Sequence, residues 1–166
     1  TGGSHGMRVF FPDGAGKWKF SCVKSNGREH NYGGSGKDAT CEAPNGTQPA
    51  SGPGGKVYIL FQNQGVRADK SLGGGVVYCY DPAKTVYGQT PEPDWYCPVK
   101  GDCAQSGMGV ALGEDGTVYA ATQKTGSVAA HVTAISAQGV KRWEHAADGD
   151  INGVPAVDDQ GFVYYN

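Results

Sequence analysis

The stretch Ala111-Leu-Gly-Glu-Asp-Gly-Thr-Val-Tyr119 decides the fold, because the chain contains two further copies of its pattern. The other copies are Ala50-Ser-Gly-Pro-Gly-Gly-Lys-Val-Tyr58 and Ala156-Val-Asp-Asp-Gln-Gly-Phe-Val-Tyr164. In each copy the alanine is followed five, seven and eight positions later by glycine, valine and tyrosine. Each copy predicts a strand, a tight turn at the glycine and a second strand, since Asp-Gly is a strong hairpin signal.

A second hairpin pattern, whose last strand begins at a tryptophan, accompanies the first one. The three tryptophans are Trp18, Trp95 and Trp143. Two hairpins per repeat make four short antiparallel strands, which is the content of a propeller blade. The sequence therefore predicts an all-β fold, a β-propeller segment of about three four-stranded blades. The repeats span approximately residues 1–61, 62–122 and 123–166.

Composition agrees with strands and excludes several partners. The chain has 28 glycines and 9 prolines, which interrupt helices, while its valines and tyrosines suit a pleated surface. Its formal net charge is only −2 and no basic stripe occurs, so nucleic acid is not expected as a partner. The longest apolar runs are too short to cross a bilayer, so no transmembrane segment is expected.

The third copy carries a family resemblance. Ile135-Ser-Ala-Gln-Gly-Val-Lys-Arg-Trp143, followed by Gly153-Val-Pro-Ala-Val-Asp-Asp-Gln-Gly-Phe-Val-Tyr164, resembles the pyrroloquinoline-quinone-like (PQQ-like) propeller repeat. The resemblance implies that each repeat tryptophan docks between neighbouring blades. It also implies a non-catalytic binding or scaffold module of a secreted or surface protein of a bacterium, with a glycan or protein ligand. The alternative is a fragment of a quinoprotein oxidoreductase that uses PQQ and calcium. The adjacent cysteine pair implied for such an enzyme does not occur in this sequence.

The five cysteines indicate whether the protein lies in an oxidising or a reducing cellular compartment. Cys22, Cys41, Cys79, Cys97 and Cys103 form no Cys-x-x-Cys pair, and they lie in polar, Gly-rich and Pro-rich stretches. This setting favours disulfides and an extracytoplasmic location, whereas the alternative is five buried thiols. Spacing suggests the pairs Cys22–Cys41 and Cys97–Cys103, with Cys79 unpaired, although sequence leaves the connectivity open.

One segment matches the opening of a calcium loop. Asp148-Gly-Asp-Ile-Asn152-Gly153 has the Asp-x-Asp-x-Asn-Gly spacing of oxygen ligands, and Asp159 occupies the twelfth position. The candidate metal ligands are therefore Asp148, Asp150, Asn152 and Asp159. The other interpretation is an ordinary loop between strands, because Pro155 interrupts the pattern. No cofactor is expected apart from this possible calcium ion.

A ligand surface is expected on inserted loops rather than at a catalytic constellation. The loops Asn26–Asn45, Gln62–Gly75 and Lys84–Cys103 are the candidates, with the aromatic residues Tyr32, Tyr87 and Tyr96. The four histidines are scattered without ligand spacing, so no catalytic residue is assigned. Three blades would also leave two blade faces without a neighbour, so further repeats or a second copy are expected to close the propeller.

Overall fold

The fold is built from antiparallel strands, as seen in a computed structural model that describes residues 8–10, 16–19, 48–63, 74–84, 93–103 and 108–166. The strands are β1 (Arg8–Phe10), β2 (Gly16–Lys19), β3 (Ala50–Ser51), β4 (Val57–Asn63), β5 (Gly74–Tyr80), β6 (Trp95–Lys100), β7 (Val110–Leu112), β8 (Val118–Thr122), β9 (His131–Ile135), β10 (Lys141–Ala146), β11 (Ala156–Val157) and β12 (Val163–Tyr164). The only helical elements in these ranges are two short 3-10 turns, Pro53–Gly55 and Pro82–Lys84. The all-β prediction is confirmed. Within the described ranges, no helix has the length and apolar character that a membrane span requires.

Two four-stranded sheets form the centre of the molecule. The first sheet has the order β3-β4-β5-β6 and the second has the order β7-β8-β9-β10, so each is a meander of sequential neighbours. Hairpins β1-β2 and β11-β12 lie before and after them. Each sheet begins with the Val-Tyr hairpin and ends with the Trp hairpin. The predicted repeat 62–122 therefore does not correspond to one sheet. It combines the second half of the first sheet with the first half of the second.

The three Val-Tyr hairpins share one register. Ala50 pairs with Tyr58, Ala111 with Tyr119 and Ala156 with Tyr164. All three turns are closed by the same backbone hydrogen bonds, such as Gly113 N–H to the Thr117 carbonyl at 2.9 Å and Gly116 N–H to the Gly113 carbonyl at 3.0 Å. The glycine at the turn has a φ of 75° to 84° in the three copies. A left-handed conformation of this kind explains why each copy contains glycine there.

The main core lies between the two sheets. The first sheet contributes Leu60, Val77 and Val99, and the second contributes Val118 and Ile135, all of them buried. A smaller cluster on the far side of the second sheet is formed by Ala121, Ala130, Val132, Ala147 and Ile151. The first strands of successive units are neighbours, because β7 contacts both β3 and β11. The sheets are thus stacked face to face along the chain, with their first strands at a common edge.

The predicted Cys97–Cys103 disulfide does not form. Cys79, Cys97 and Cys103 are all free, buried thiols. Cys97 lies opposite Val77, whereas a Cβ placed on Gly75 would lie 3.2 Å from the Cys103 sulfur. Gly75 and Val77 are two residues apart on β5, or about 7 Å. Bridged cysteines need Cβ atoms about 4 Å apart, so this spacing along β5 keeps Cys97 and Cys103 from bridging.

The inserted segments are described only in part. Cys22, Cys41, Tyr32 and Tyr87 lie outside the described residues, and so does the predicted Cys22–Cys41 bridge. Within the third segment, predicted as a loop from Lys84 to Cys103, residues 95–100 form strand β6. The loop prediction is wrong for these residues, whereas the predicted strand that begins at Trp95 is present, because Trp95 to Lys100 pair along their whole length with β5 despite the proline at position 98.

Candidate functional site

Trp95 lies at the junction of the two sheets. Its indole Nε1–H donates a 2.9 Å hydrogen bond to the carbonyl of Ala137, in the β9–β10 turn of the second sheet. A Cβ placed on Gly139 would lie 2.6 Å from the indole ring, so only glycine fits against it. Within its own sheet, Trp95 contacts Tyr58 with ring centroids 5.8 Å apart. Trp95 therefore connects the first sheet to a turn of the second.

Trp143 holds the corresponding place in the second sheet but has less cover. Its ring lies 5.9 Å from that of Tyr119, as Trp95 does from Tyr58. It remains 44% exposed, however, because no hairpin turn covers it within the described residues. Trp18 lies in β2, of which only the backbone is described. The docking role predicted for the three tryptophans thus has a described contact between sheets at Trp95.

A group of charges surrounds Asp94, the residue before Trp95. Its carboxylate lies 2.9 Å from the Lys56 ammonium and 2.6 Å from that of Lys84. Hydrogen bonds from Lys84 and Lys56 lower the pKa of Asp94. Beneath Lys56, the Tyr58 ring and the Cys79 thiol are buried, and burial raises the pKa of each, to about 12 and about 11. The ion pairs of Asp94 therefore connect the start of the last strand to the first turn of the sheet. The Tyr58 and Cys79 side chains beneath them are uncharged.

The second sheet contains the same contact with reversed polarity. Arg142, the residue before Trp143, donates hydrogen bonds to Asp115 at 2.9 Å and to the Thr117 hydroxyl at 2.7 Å. Hydrogen bonds from Thr117 and Arg142 lower the pKa of Asp115 to about 2. The residue before the tryptophan is an acid in the first sheet and a base in the second, and its turn partner is Lys56 in the first sheet and Asp115, two positions earlier in the repeat, in the second.

An open cleft of about 450 Å³ lies where these contacts meet, between the two sheets. The first sheet lines it with Pro53, Lys56, Tyr58 and Trp95. The second lines it with Glu114, Asp115, Gly116, Ala137 and Gln138. The cleft thus has an aromatic base and charged side chains at its rim. Its size lies within the range of small-molecule sites.

Tyr96 lies on the other face of β6 and projects into solvent, with 58% of its surface exposed. Its ring centroid is 6.0 Å from that of Tyr78, which in turn is 6.0 Å from that of Tyr80. Phe61 supports Tyr78 from the neighbouring strand, at 5.7 Å. The inner rings are buried. Tyr96 is therefore the outer member of a supported aromatic row, and it is the one predicted surface tyrosine that lies in the described part of the chain.

The candidate calcium ligands remain apart. Asp148, Asp150, Asn152 and Asp159 are all exposed, and the described residues contain no cluster of three acidic, histidine or cysteine side chains that could hold a metal. The neighbouring carboxylate, Asp158, is engaged in its own turn, accepting hydrogen bonds from the backbone N–H groups of Gln160 and Phe162. Asp159 follows it on the β11–β12 turn, so the local hairpin fold takes precedence over a calcium loop.

Sequence reasoning missed both the cleft and the charged contacts that frame it. A signal was present, since the residues before Trp95 and Trp143 carry opposite charges and so do the turn residues Lys56 and Asp115. Comparing the repeats for compensating charges, instead of for identical residues, would have identified these pairs. The cleft itself depends on packing between sheets and has no local pattern.

Comparisons with known proteins bear on the fold alone. No family model matches the sequence, and no curated protein does. A solved crystal structure, described as a protein of unknown function from Bacteroides caccae, is similar over 96% of this chain, with a TM-score of 0.52 and 13% identity. The chain spans 45% of that protein's length. At this identity the likeness concerns the arrangement of strands and assigns no activity.

Proposed function

We propose that the chain is a non-catalytic binding module, built as part of a PQQ-like β-propeller, and that its ligand is a glycan which stacks on Tyr96. The observation that carries the proposal is the exposure of Tyr96 at the end of a buried aromatic row. A ring that is already held in place loses little conformational freedom when it binds, so it suits the flat apolar face of a sugar.

The edge of β6 favours a glycan over a peptide strand. An added strand would need backbone donors along this edge. Pro98, in the middle of β6, has no N–H, and the N–H of Lys100 is directed at the Glu144 carboxylate, 3.3 Å away. Side-chain recognition at Tyr96 therefore fits this part of the molecule better than strand addition.

The propeller architecture is part of the same proposal. Two four-stranded meanders with adjacent first strands and a tryptophan between them are the arrangement expected of neighbouring blades. Trp143 and Tyr164, which is 58% exposed, would be covered by further repeats or by a second copy. An extracytoplasmic location belongs to the proposal too. Counting free thiols under denaturing, non-reducing conditions tests it, because a Cys22–Cys41 bridge would leave three.

Affinity electrophoresis through gels that contain soluble neutral polysaccharides tests the ligand. We expect retardation by at least one of xylan, mannan, β-glucan and amylose, lost in Tyr96→Ala and retained in Tyr165→Ala. Tyr165 is a matched control because its side chain is also well exposed. Unchanged retardation of Tyr96→Ala, or no retardation in any of the gels, would show that Tyr96 is not a glycan site.

A further inference from the structure

We infer that the cleft between the two sheets is a second binding site, separate from Tyr96, and that it takes a small zwitterion of the α-amino-acid type. The inference rests on which charges line the cleft, which sheet supplies each of them, and what their partners are. It does not depend on the glycan proposal, because Trp95 and Tyr96 lie on opposite faces of β6.

The cleft has walls of opposite charge. Lys56, from the β3–β4 turn, supplies an ammonium group on the side of the first sheet. Glu114 and Asp115, from the β7–β8 turn, supply two carboxylates on the side of the second. Among the described residues no ion pair joins Lys56 to either carboxylate. The space between the walls is therefore left for a ligand that brings both charges.

Internal partners hold both walls in place. Lys56 is held by Asp94, and the hydrogen bond that its ammonium donates to that carboxylate raises the pKa of Lys56. Asp115 is held by Arg142 at 2.9 Å. Glu114, in contrast, is exposed and has no ion-pair partner in the described part of the chain. A ligand ammonium group thus finds one uncompensated carboxylate beside a compensated one. A ligand carboxylate finds an ammonium that is oriented and one-third exposed.

The base of the cleft is suited to the remainder of such a molecule. Pro53, Tyr58, Trp95 and Ala137 are apolar or aromatic, and Gln138 adds an amide at the rim. The volume of about 450 Å³ accommodates an amino acid with a large side chain. A strongly charged ligand of one sign would face repulsion from one wall, so the two walls together select a molecule that is neutral overall but charged at both ends.

Titration of ¹⁵N-labelled protein with L-phenylalanine, followed by heteronuclear NMR, tests the inference. We expect saturable shifts of the Trp95 indole signal and of the amides of residues 114–116. N-acetyl-L-phenylalanine lacks the ammonium charge and L-phenylalaninamide lacks the carboxylate. Each should bind about tenfold more weakly than the parent molecule, since each loses one charge-assisted contact. Maltose, which is uncharged, should leave these signals in place.

Two variants test which wall of the cleft binds which charged group of the ligand. Lys56→Met should weaken L-phenylalanine but not L-phenylalaninamide, and Glu114→Gln should weaken L-phenylalanine but not the N-acetyl derivative. The matched controls are Lys124→Met, at an exposed lysine, and Asp159→Asn, at the same turn position in the third copy. Tyr96→Ala should have no effect. Equal binding of all three analogues, binding of maltose alone, absence of binding, or insensitivity to Glu114→Gln would overturn the inference.

Discussion

The two four-stranded sheets place a tryptophan at the same position with different results. Trp95 is the first residue and Trp143 the third residue of the last strand of its sheet, and each contacts the tyrosine of the Val-Tyr pair. Trp95 is covered by the β9–β10 turn, whereas 44% of Trp143 is exposed. The difference shows that burial of the repeat tryptophan is decided by the following sheet and not by its own.

The charged contacts beside the two tryptophans give a second lesson. In the first sheet an acid just before the last strand meets lysine, and in the second an arginine on the last strand meets an acid. Both contacts join the start of the last strand to the first turn of the sheet, but Lys56 and Asp115 occupy different positions of the repeat and the charges are reversed. The strand-to-turn connection therefore depends on complementary charge, and neither sign is required at either end.

The largest effect is expected for the covered tryptophan. Trp95→Ala should lower the free energy of unfolding by about 3–5 kcal/mol, because it removes an inter-sheet contact and leaves a cavity. Trp143→Ala should cost roughly 1 kcal/mol, since much of its ring already faces water. Urea unfolding of the two variants measures the difference. Equal losses would mean that Trp95 does not join the sheets.

A smaller effect is expected at the turn that receives Trp95. Gly139→Ala should cost roughly 2–3 kcal/mol, because φ at this residue is 84° and a Cβ would lie 2.6 Å from the indole. Gly126→Ala is the control, with a φ of 56° and no atom within 4 Å. It should cost about 1 kcal/mol from backbone strain alone. The same urea titrations apply, and equal costs would place the indole elsewhere.

Lowering the pH should reduce the free energy of unfolding more through Glu144 than through Asp115, although each carboxyl group has a pKa of about 2. Burial raises the pKa of Glu144, but hydrogen bonds from Lys141 and Lys100 outweigh it, and its side chain is 12% exposed. Since the folded pKa lies below the ordinary value of 4.5, Glu144 stabilises the fold above pH 4.5. That contribution, of the order of 2 kcal/mol, should be lost between pH 4.5 and pH 2.

Two variants isolate the contribution of Glu144 to the pH dependence of stability. Glu144→Gln should flatten the pH dependence of unfolding between pH 5 and pH 2, relative to the unmodified chain. Asp115→Asn should change it by less than about 0.5 kcal/mol, because more than half of the Asp115 side chain faces solvent. Urea midpoints measured across this pH range make the comparison. A larger flattening in Asp115→Asn than in Glu144→Gln would contradict the assignment of this pH dependence to Glu144.

The strand content and the hairpin register could be predicted from the sequence because both are local. A tight turn at a left-handed glycine fixes which residues face each other, so Ala111 and Tyr119 pair in the same way in every copy. Tyr96 is expected on an inserted loop, and it is exposed on strand β6 instead. The sequence could not predict how far each tryptophan is buried, that Cys97 and Cys103 are free thiols, or that the cleft exists. These features depend on packing between segments far apart in the chain.

The most direct test of the account is whether Trp95 lies against Gly139. Nuclear Overhauser spectroscopy of the labelled chain, with Trp95→Phe and Trp143→Phe used for assignment, measures this contact. We predict strong cross-peaks between the Trp95 indole protons and the Gly139 α-protons, together with slow hydrogen exchange at the Trp95 indole N–H and fast exchange at that of Trp143. Absence of the Gly139 cross-peaks, with equally fast exchange at both indoles, would contradict the docking of one sheet on the next.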